Sequence, residues 1–213
     1  MSLLLLIRHA LTDSTGKLLT GWTPGVHLSP GGREQAEELG RRLNGFPLQA
    51  IYSSPLERCR ETARPISRAA HLDVVVRPAL GEVRFGDWTG RSLAQLRRTK
   101  LWGVVQSTPS RARFPDGESV LEVQDRAVAE VERIAAQHPK GAVAIFSHAD
   151  VIKLVLATLS GTHTDLFQRL SVSPASVSAV ALGSGAPRIL LVNDTGDLHE
   201  LAPQKRGRAK VRG

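Results

Sequence analysis

The 213-residue sequence predicts an α/β fold, a mostly parallel sheet with helices packed against it. Three observations predict it. Apolar runs alternate with stretches patterned for helices, the order that joins parallel strands through crossovers. The run Leu3-Leu4-Leu5-Leu6-Ile7 has no polar residue at alternate positions, as in a strand buried on both faces. A second run, Val143-Ala144-Ile145-Phe146, leads through Ser147-His148 into an apolar stretch at 151–159 suited to a helix lying on a sheet.

Taken in order, the first strand covers residues 3–7. The first helix covers 32–43, punctuated by Pro30-Gly31-Gly32 and Asn44-Gly45. A strand at 50–53 runs into a helix at 56–69, for which Pro55 suits the first position. Val74-Val75-Val76 is a short strand, and 93–105 reads as one helix. Ser119 is an N-cap with a glutamate three positions on, opening a helix at 120–137. The strand at 143–146 and the helix at 151–159 follow, then strands at 177–182 and 189–193. Between these last two, Gly183-Ser184-Gly185-Ala186-Pro187 is a hairpin turn. It is no nucleotide loop, because proline ends it and no helix follows.

The length suits a single domain, taken as residues 1–204, with a hydrophobic content of 41% that is ordinary for a soluble protein. No apolar stretch approaches the ~20 residues of a membrane span. The start Met1-Ser2-Leu3 lacks a basic leader region, and a lone cysteine, Cys59, leaves no intrachain disulfide, so a cytoplasmic protein is expected. The formal charge is +8, but residues 205–213 carry five positive charges. Without them 23 basic residues stand against 20 acidic ones, a net +3. That segment is expected to be a disordered, solubilising tail. A basic nucleic-acid-binding module is the remote alternative, disfavoured because aromatics make up only 4% of the chain and offer few stacking platforms. Nucleic acid and membrane are therefore not the expected partners, and a homodimer stays open.

The chemistry sits at the strand ends. Arg8-His9 leaves the first strand where open α/β sheets bind ligands. Taken alone, it is a weak signal and reads as an arginine lying along the surface beside a hydrogen-bonded histidine. Ser147-His148 leaves another strand about 140 residues later, and parallel neighbouring strands would bring the two histidines together. Ser53-Ser54-Pro55-Leu56-Glu57-Arg58 adds a second arginine at a helix start, and Glu82 lies in a glycine-rich loop. His27, His71, His138, His163 and His199 stand alone, and no histidine–carboxylate spacing suggests a metal.

Together these segments resemble the histidine phosphatase, or phosphoglycerate-mutase-like, superfamily. Arg8-His9-Ala10 is similar to its Arg-His-Gly signature, and Leu28-Ser29-Pro30-Gly31 with Gln35-Ala36 to its next segment. Ser53–Arg58, the loop around Glu82 and Phe85-Gly86-Asp87-Trp88, Gly117-Glu118-Ser119 and Ser147-His148 follow in the family's order. The resemblance implies a three-layer sandwich around a mixed sheet with an antiparallel strand. It also implies a metal-independent enzyme without a cofactor, acting on a small phosphorylated metabolite. In that reading Arg8 and Arg58 clamp the phosphate through paired charge-assisted bonds. His9 forms a phosphohistidine, His148 balances charge on the phosphoryl oxygens, and Glu82 carries the proton. Thr12, Thr15, Thr20 and Gly21 complete the phosphate cradle. Ala10 replaces the usual glycine, Thr15-Gly16 stands nearest a missing asparagine, and Ala149-Asp150 stands where two glycines are common.

Thr20-Gly21-Trp22 resembles the cofactor-dependent phosphoglycerate mutases. Residues 165–169 and 173–177 resemble a bacterial subgroup labelled probable phosphomutase. The run Glu82-Val83-Arg84-Phe85-Gly86-Asp87-Trp88 instead resembles the phosphatase branch. The mutases' proline triplet and a clear arginine pair for the substrate carboxylate are missing; Arg97-Arg98 reads as a solvated helix face. A phosphatase is expected, with the mutase as the alternative. Trp22, Arg84, Phe85, Trp88 and Trp102 are expected to form the wall that recognises the alcohol.

Overall fold

In a computed structural model, which describes residues 1–196, the apolar runs form one six-stranded sheet. In chain order the strands are β1 (Ser2–Arg8), β2 (Leu48–Ser53), β3 (Val74–Val76), β4 (Ala142–Ser147), β5 (Val177–Leu182) and β6 (Arg188–Asp194). They lie side by side as β3-β2-β4-β1-β5-β6. The pairs β1–β4, β2–β4 and β2–β3 are parallel, whereas β5 runs antiparallel to both β1 and β6. The sheet is mixed, with one reversed strand, as the resemblance implies. The tail at 205–213 and the boundary at 204 lie outside the described residues.

The helices are α1 (Pro30–Arg42), α2 (Glu57–Ala70), α3 (Leu93–Leu96), α4 (Lys100–Ser107), α5 (Val120–Gln137) and α6 (Ala149–Leu159). They cover both faces of the sheet, and β1 shows why its leucines are continuous. Leu3, Leu5 and Ile7 pack with Leu39 of α1 and Ala63 and Ile66 of α2. Leu4 and Leu6 pack with Val123 and Val131 of α5 and Val151 and Val155 of α6. Each such buried side chain contributes about 1.5–3 kcal/mol. A strand between two helical layers can carry no polar alternation. Among the described residues no helix is long and apolar enough to cross a membrane.

Two expected elements differ. The helix expected over 93–105 is divided into α3 and α4. Ser92 accepts from the Gln95 N–H and Thr99 from the Trp102 N–H, so each starts its own short helix. Pro55 does not open α2, whose N-cap is Leu56. The chain bends at Pro55 and is still extended at Leu56, and Ser54 Oγ, 3.3 Å from the Leu56 N–H, also reaches His148. By contrast α5 begins as expected, with a reciprocal Ser119–Glu122 capping box.

Candidate active site

Three parallel strands deliver the polar residues to one edge of the sheet. In the β1–β4 register Arg8 stands opposite Ser147, and the His9 N–H donates to the Ser147 carbonyl at 3.0 Å. His9 and His148 therefore leave adjacent strands at the same level, and their ring centroids are 5.3 Å apart. On the other side of β4, the Ser54 N–H donates to the Phe146 carbonyl at 2.9 Å. This places Arg58, in the first turn of α2, beneath the histidines. Glu82 arrives from the loop after β3, which Ser147 Oγ holds by donating to the Leu80 carbonyl at 2.7 Å.

Hydrogen bonds set the ring tautomers. His9 Nδ1 lies 2.8 Å from the Ala10 carbonyl, which can only accept. The proton therefore sits on Nδ1 and the lone pair on Nε2. Arg58 Nη2 lies 3.3 Å from His148 Nδ1 and 2.8 Å from the Gly21 carbonyl. A guanidinium only donates, so neutral His148 accepts at Nδ1 and donates from Nε2 to Ser54 Oγ at 2.8 Å. Glu82 Oε2 lies 3.6 Å from the same Nδ1.

Burial dominates the electrostatics. It lowers His9 to about 3, with Arg58 adding to the effect. His148 is also held well below the usual imidazole range by burial and then by Arg58. Burial raises Glu82 to about 7 against the opposing pull of Arg58, and raises the Cys59 thiol to about 12. Near neutral pH both imidazoles are uncharged, while the carboxyl is poised to hold or release a proton. Arg58 is 1% exposed. Its Nε and Nη1, and Arg8 Nε, have no hydrogen-bond partner among the described residues. A buried cation with unused N–H groups is costly until an anion meets it.

A pocket of about 160 Å³ opens over this cluster, lined by Arg8, His9, Thr12, Thr15, Thr20, Gly21 and Glu82 together with Phe85 and Asp150. The Thr12 N–H donates to Thr15 Oγ1 at 2.9 Å, and the two hydroxyls lie 3.0 Å apart. Arg58 and His148 are absent from this lining and buried, His148 with no exposed surface, but Arg58 reaches the pocket wall through the Gly21 carbonyl. Of the five residues expected on the recognition wall only Phe85 lines this pocket; Trp88 and Trp102 line a neighbouring space with it, and Trp22 and Arg84 line neither. Trp22 donates to the Glu82 carbonyl, and Arg84 stacks on its ring at 4.0 Å. Only glycine at 81 lets the indole lie so close, because a Cβ there would meet it at 2.3 Å. Arg97 and Arg98 are exposed, as expected, but they lie in the break between α3 and α4 rather than on a helix face.

Arg126 was not foreseen among the site residues. From α5 it donates to the carbonyls of Ala79, Gly81 and Glu82 and to both carboxylate oxygens of Glu118, at 2.7–2.9 Å. It holds the backbone that carries Glu82. Arg126→Ala is expected to cost about 2–3 kcal/mol in urea unfolding, because Glu118 and three carbonyls lose their donor. Amide exchange over 79–84 should accelerate as well; unchanged exchange there would remove this role.

A family model described as the histidine phosphatase superfamily (branch 1) matches residues 4–195. The chain is 27% identical to phosphoserine phosphatase 1 of Hydrogenobacter thermophilus, over 92% of this chain and 94% of that protein. It is 32% identical to a bifunctional protein of Mycobacterium tuberculosis over 92% of this chain, but it spans only 54% of that relative. Among solved structures, YhfR of Bacillus stearothermophilus superposes with a TM-score of 0.86 at 26% identity, covering 92% of this chain and 98% of the other.

Proposed function

This chain belongs to the histidine phosphatase superfamily, and we propose that it hydrolyses small phosphomonoesters through a phosphohistidine on His9. The observation that carries the reading is the His9 ring. Its Nδ1 proton is committed to the Ala10 carbonyl, and its Nε2 lone pair sits in a pocket with Arg8 and Glu82. A neutral imidazole with one nitrogen tied down is an oriented nucleophile.

In the first step Nε2 forms a bond to phosphorus as the bond from phosphorus to the alcohol oxygen breaks. Protonated Glu82 gives its proton to that oxygen. In the second step water attacks phosphorus, its proton passes to Glu82, and the N–P bond breaks to release inorganic phosphate. Arg8 and the unused N–H groups of Arg58 meet the phosphoryl oxygens, and His148 supports the charge that develops on them. Thr12, Thr15, Thr20 and Gly21 shape the cradle around the same oxygens. No step requires a metal or cofactor, so turnover should survive EDTA.

The pH dependence tests Glu82. It faces His148, Arg58, Arg8 and Asp150, and its protonated form is the acid in the first step. For esters of poor leaving groups, kcat/KM should rise as the substrate loses its second proton near pH ~6. It should then fall above about 7 as Glu82 ionises. A bound dianion raises the carboxyl further, so the falling limb of kcat should lie at higher pH than that of kcat/KM. Glu82→Gln should remove the falling limb, slowing alkyl esters more than aryl ones. An equal loss across leaving groups argues against acid catalysis. Thr20-Gly21 at the pocket wall keeps a phosphoglycerate mutase as the second reading. Conversion of 3- to 2-phosphoglycerate outpacing phosphate release would favour it.

A further inference from the structure

Building on the phosphatase reading, we infer that the substrate's alcohol is uncharged and carries a ring or a similar apolar group, held in a second chamber beside the phosphate pocket. This chamber, of about 240 Å³, shares Leu19, Phe85, Leu93 and Asp150 with the pocket and so adjoins it. The volume exceeds the ~150 Å³ that admits a benzene ring in an apolar protein cavity.

Its far wall is aromatic. Trp88 and Trp102 stack with centroids 6.4 Å apart, and Phe114 meets both Phe85 and Trp88 edge-on. Aromatics are 4% of the chain, yet these four gather at one chamber. The break between α3 and α4 contributes to the wall, bringing Leu93 from one helix and Trp102 and Val105 from the other. Gln106 and Gln168 add neutral hydrogen-bonding groups. Apolar walls with a few polar groups are the usual lining of small-molecule sites.

Charge excludes the obvious competitors. Among the described residues Arg8 is the only cation lining either space, and the phosphate engages it. A carboxylate on the alcohol would meet Asp150 and Glu82 with no counter-ion of its own. Lys153 is already held by Asp150 at 3.2 Å and Gln168 at 3.1 Å. An unpaired charge in such a chamber is strongly disfavoured.

The test uses the unmodified chain with benzyl phosphate, 4-carboxybenzyl phosphate, ethyl phosphate and O-phosphoserine, all esters of primary alcohols. Filling the chamber with the ring should raise kcat/KM for benzyl phosphate roughly 30-fold over ethyl phosphate. The added carboxylate should cancel most of that gain. Trp102→Ala should shrink the benzyl-to-ethyl ratio at least about fivefold, and Asp150→Asn should narrow the gap between the benzyl and carboxybenzyl esters. Because each is a ratio within one preparation, partial misfolding cannot imitate it. Phosphoserine or the carboxybenzyl ester matching benzyl phosphate overturns the chamber assignment and leaves the phosphatase intact. Release of phosphate from none of the four overturns the phosphatase reading itself.

Discussion

His9→Ala is expected to lower kcat by at least about 10⁴-fold, the scale of losing a covalent nucleophile, and to abolish labelled phosphoenzyme. The expectation follows from the local bonding. His9 Nδ1 donates to the Ala10 carbonyl at 2.8 Å, so only Nε2 can attack. Burial, reinforced by Arg58, holds the ring near 3, so the nucleophile stays unprotonated through the whole working range. Labelled phosphoenzyme should therefore be trapped from the wild type at any pH above the substrate's second ionisation near pH ~6, with no further loss from protonation of the ring. A merely basic His9 would behave differently, giving a smaller loss and no trapped intermediate in the wild type. Near-wild-type activity in the alanine variant, with its fold verified by circular dichroism, would falsify the assignment.

Much of this site was legible because the sequence writes its buried strands plainly. Leu3–Ile7 and Val143–Phe146 have no polar interruption, and each ends in a polar residue and a histidine. The parallel pairing of β1 and β4 then brings the two rings together. What stayed hidden is set by tertiary packing. Arg58 occupies a helix start, where a charge normally faces water, and only the fold shows that it is buried beside the two histidines. Arg126 is one polar residue of an amphipathic helix, and its five acceptors come from a loop and a glutamate that local sequence cannot position. Ser92 and Thr99 stand in a stretch patterned for one helix, and their capping role appears only once the backbone turns there. Trp22 belongs to a readable motif, but the closeness of Gly81 draws its ring behind Glu82.

Arg58→Ala is expected to lower kcat/KM by at least ~100-fold, the usual scale for losing one charge-stabilising donor. Two effects combine. The phosphate loses the buried N–H groups at Nε and Nη1 that have no other partner among the described residues. The site also loses a cation that depresses both neighbours, since Arg58 ranks after burial in lowering His9 and in opposing the rise of Glu82. Removing it therefore raises both groups. The acid limb of the kcat/KM profile, which the substrate's second proton sets near pH ~6, should steepen as the His9 ring rises from about 3, and the alkaline limb should move above about 7. Arg58→Lys separates the two effects. A lysine keeps the charge, so both limbs should stay near their wild-type positions, but it cannot present the planar fork, so most of the rate loss should remain. The competing view, in which Arg58 only braces the Gly21 carbonyl and His148, predicts that the alanine variant loses stability without changing either limb. Measuring both profiles alongside thermal midpoints decides between them, and unchanged limbs in the alanine variant refute the electrostatic role.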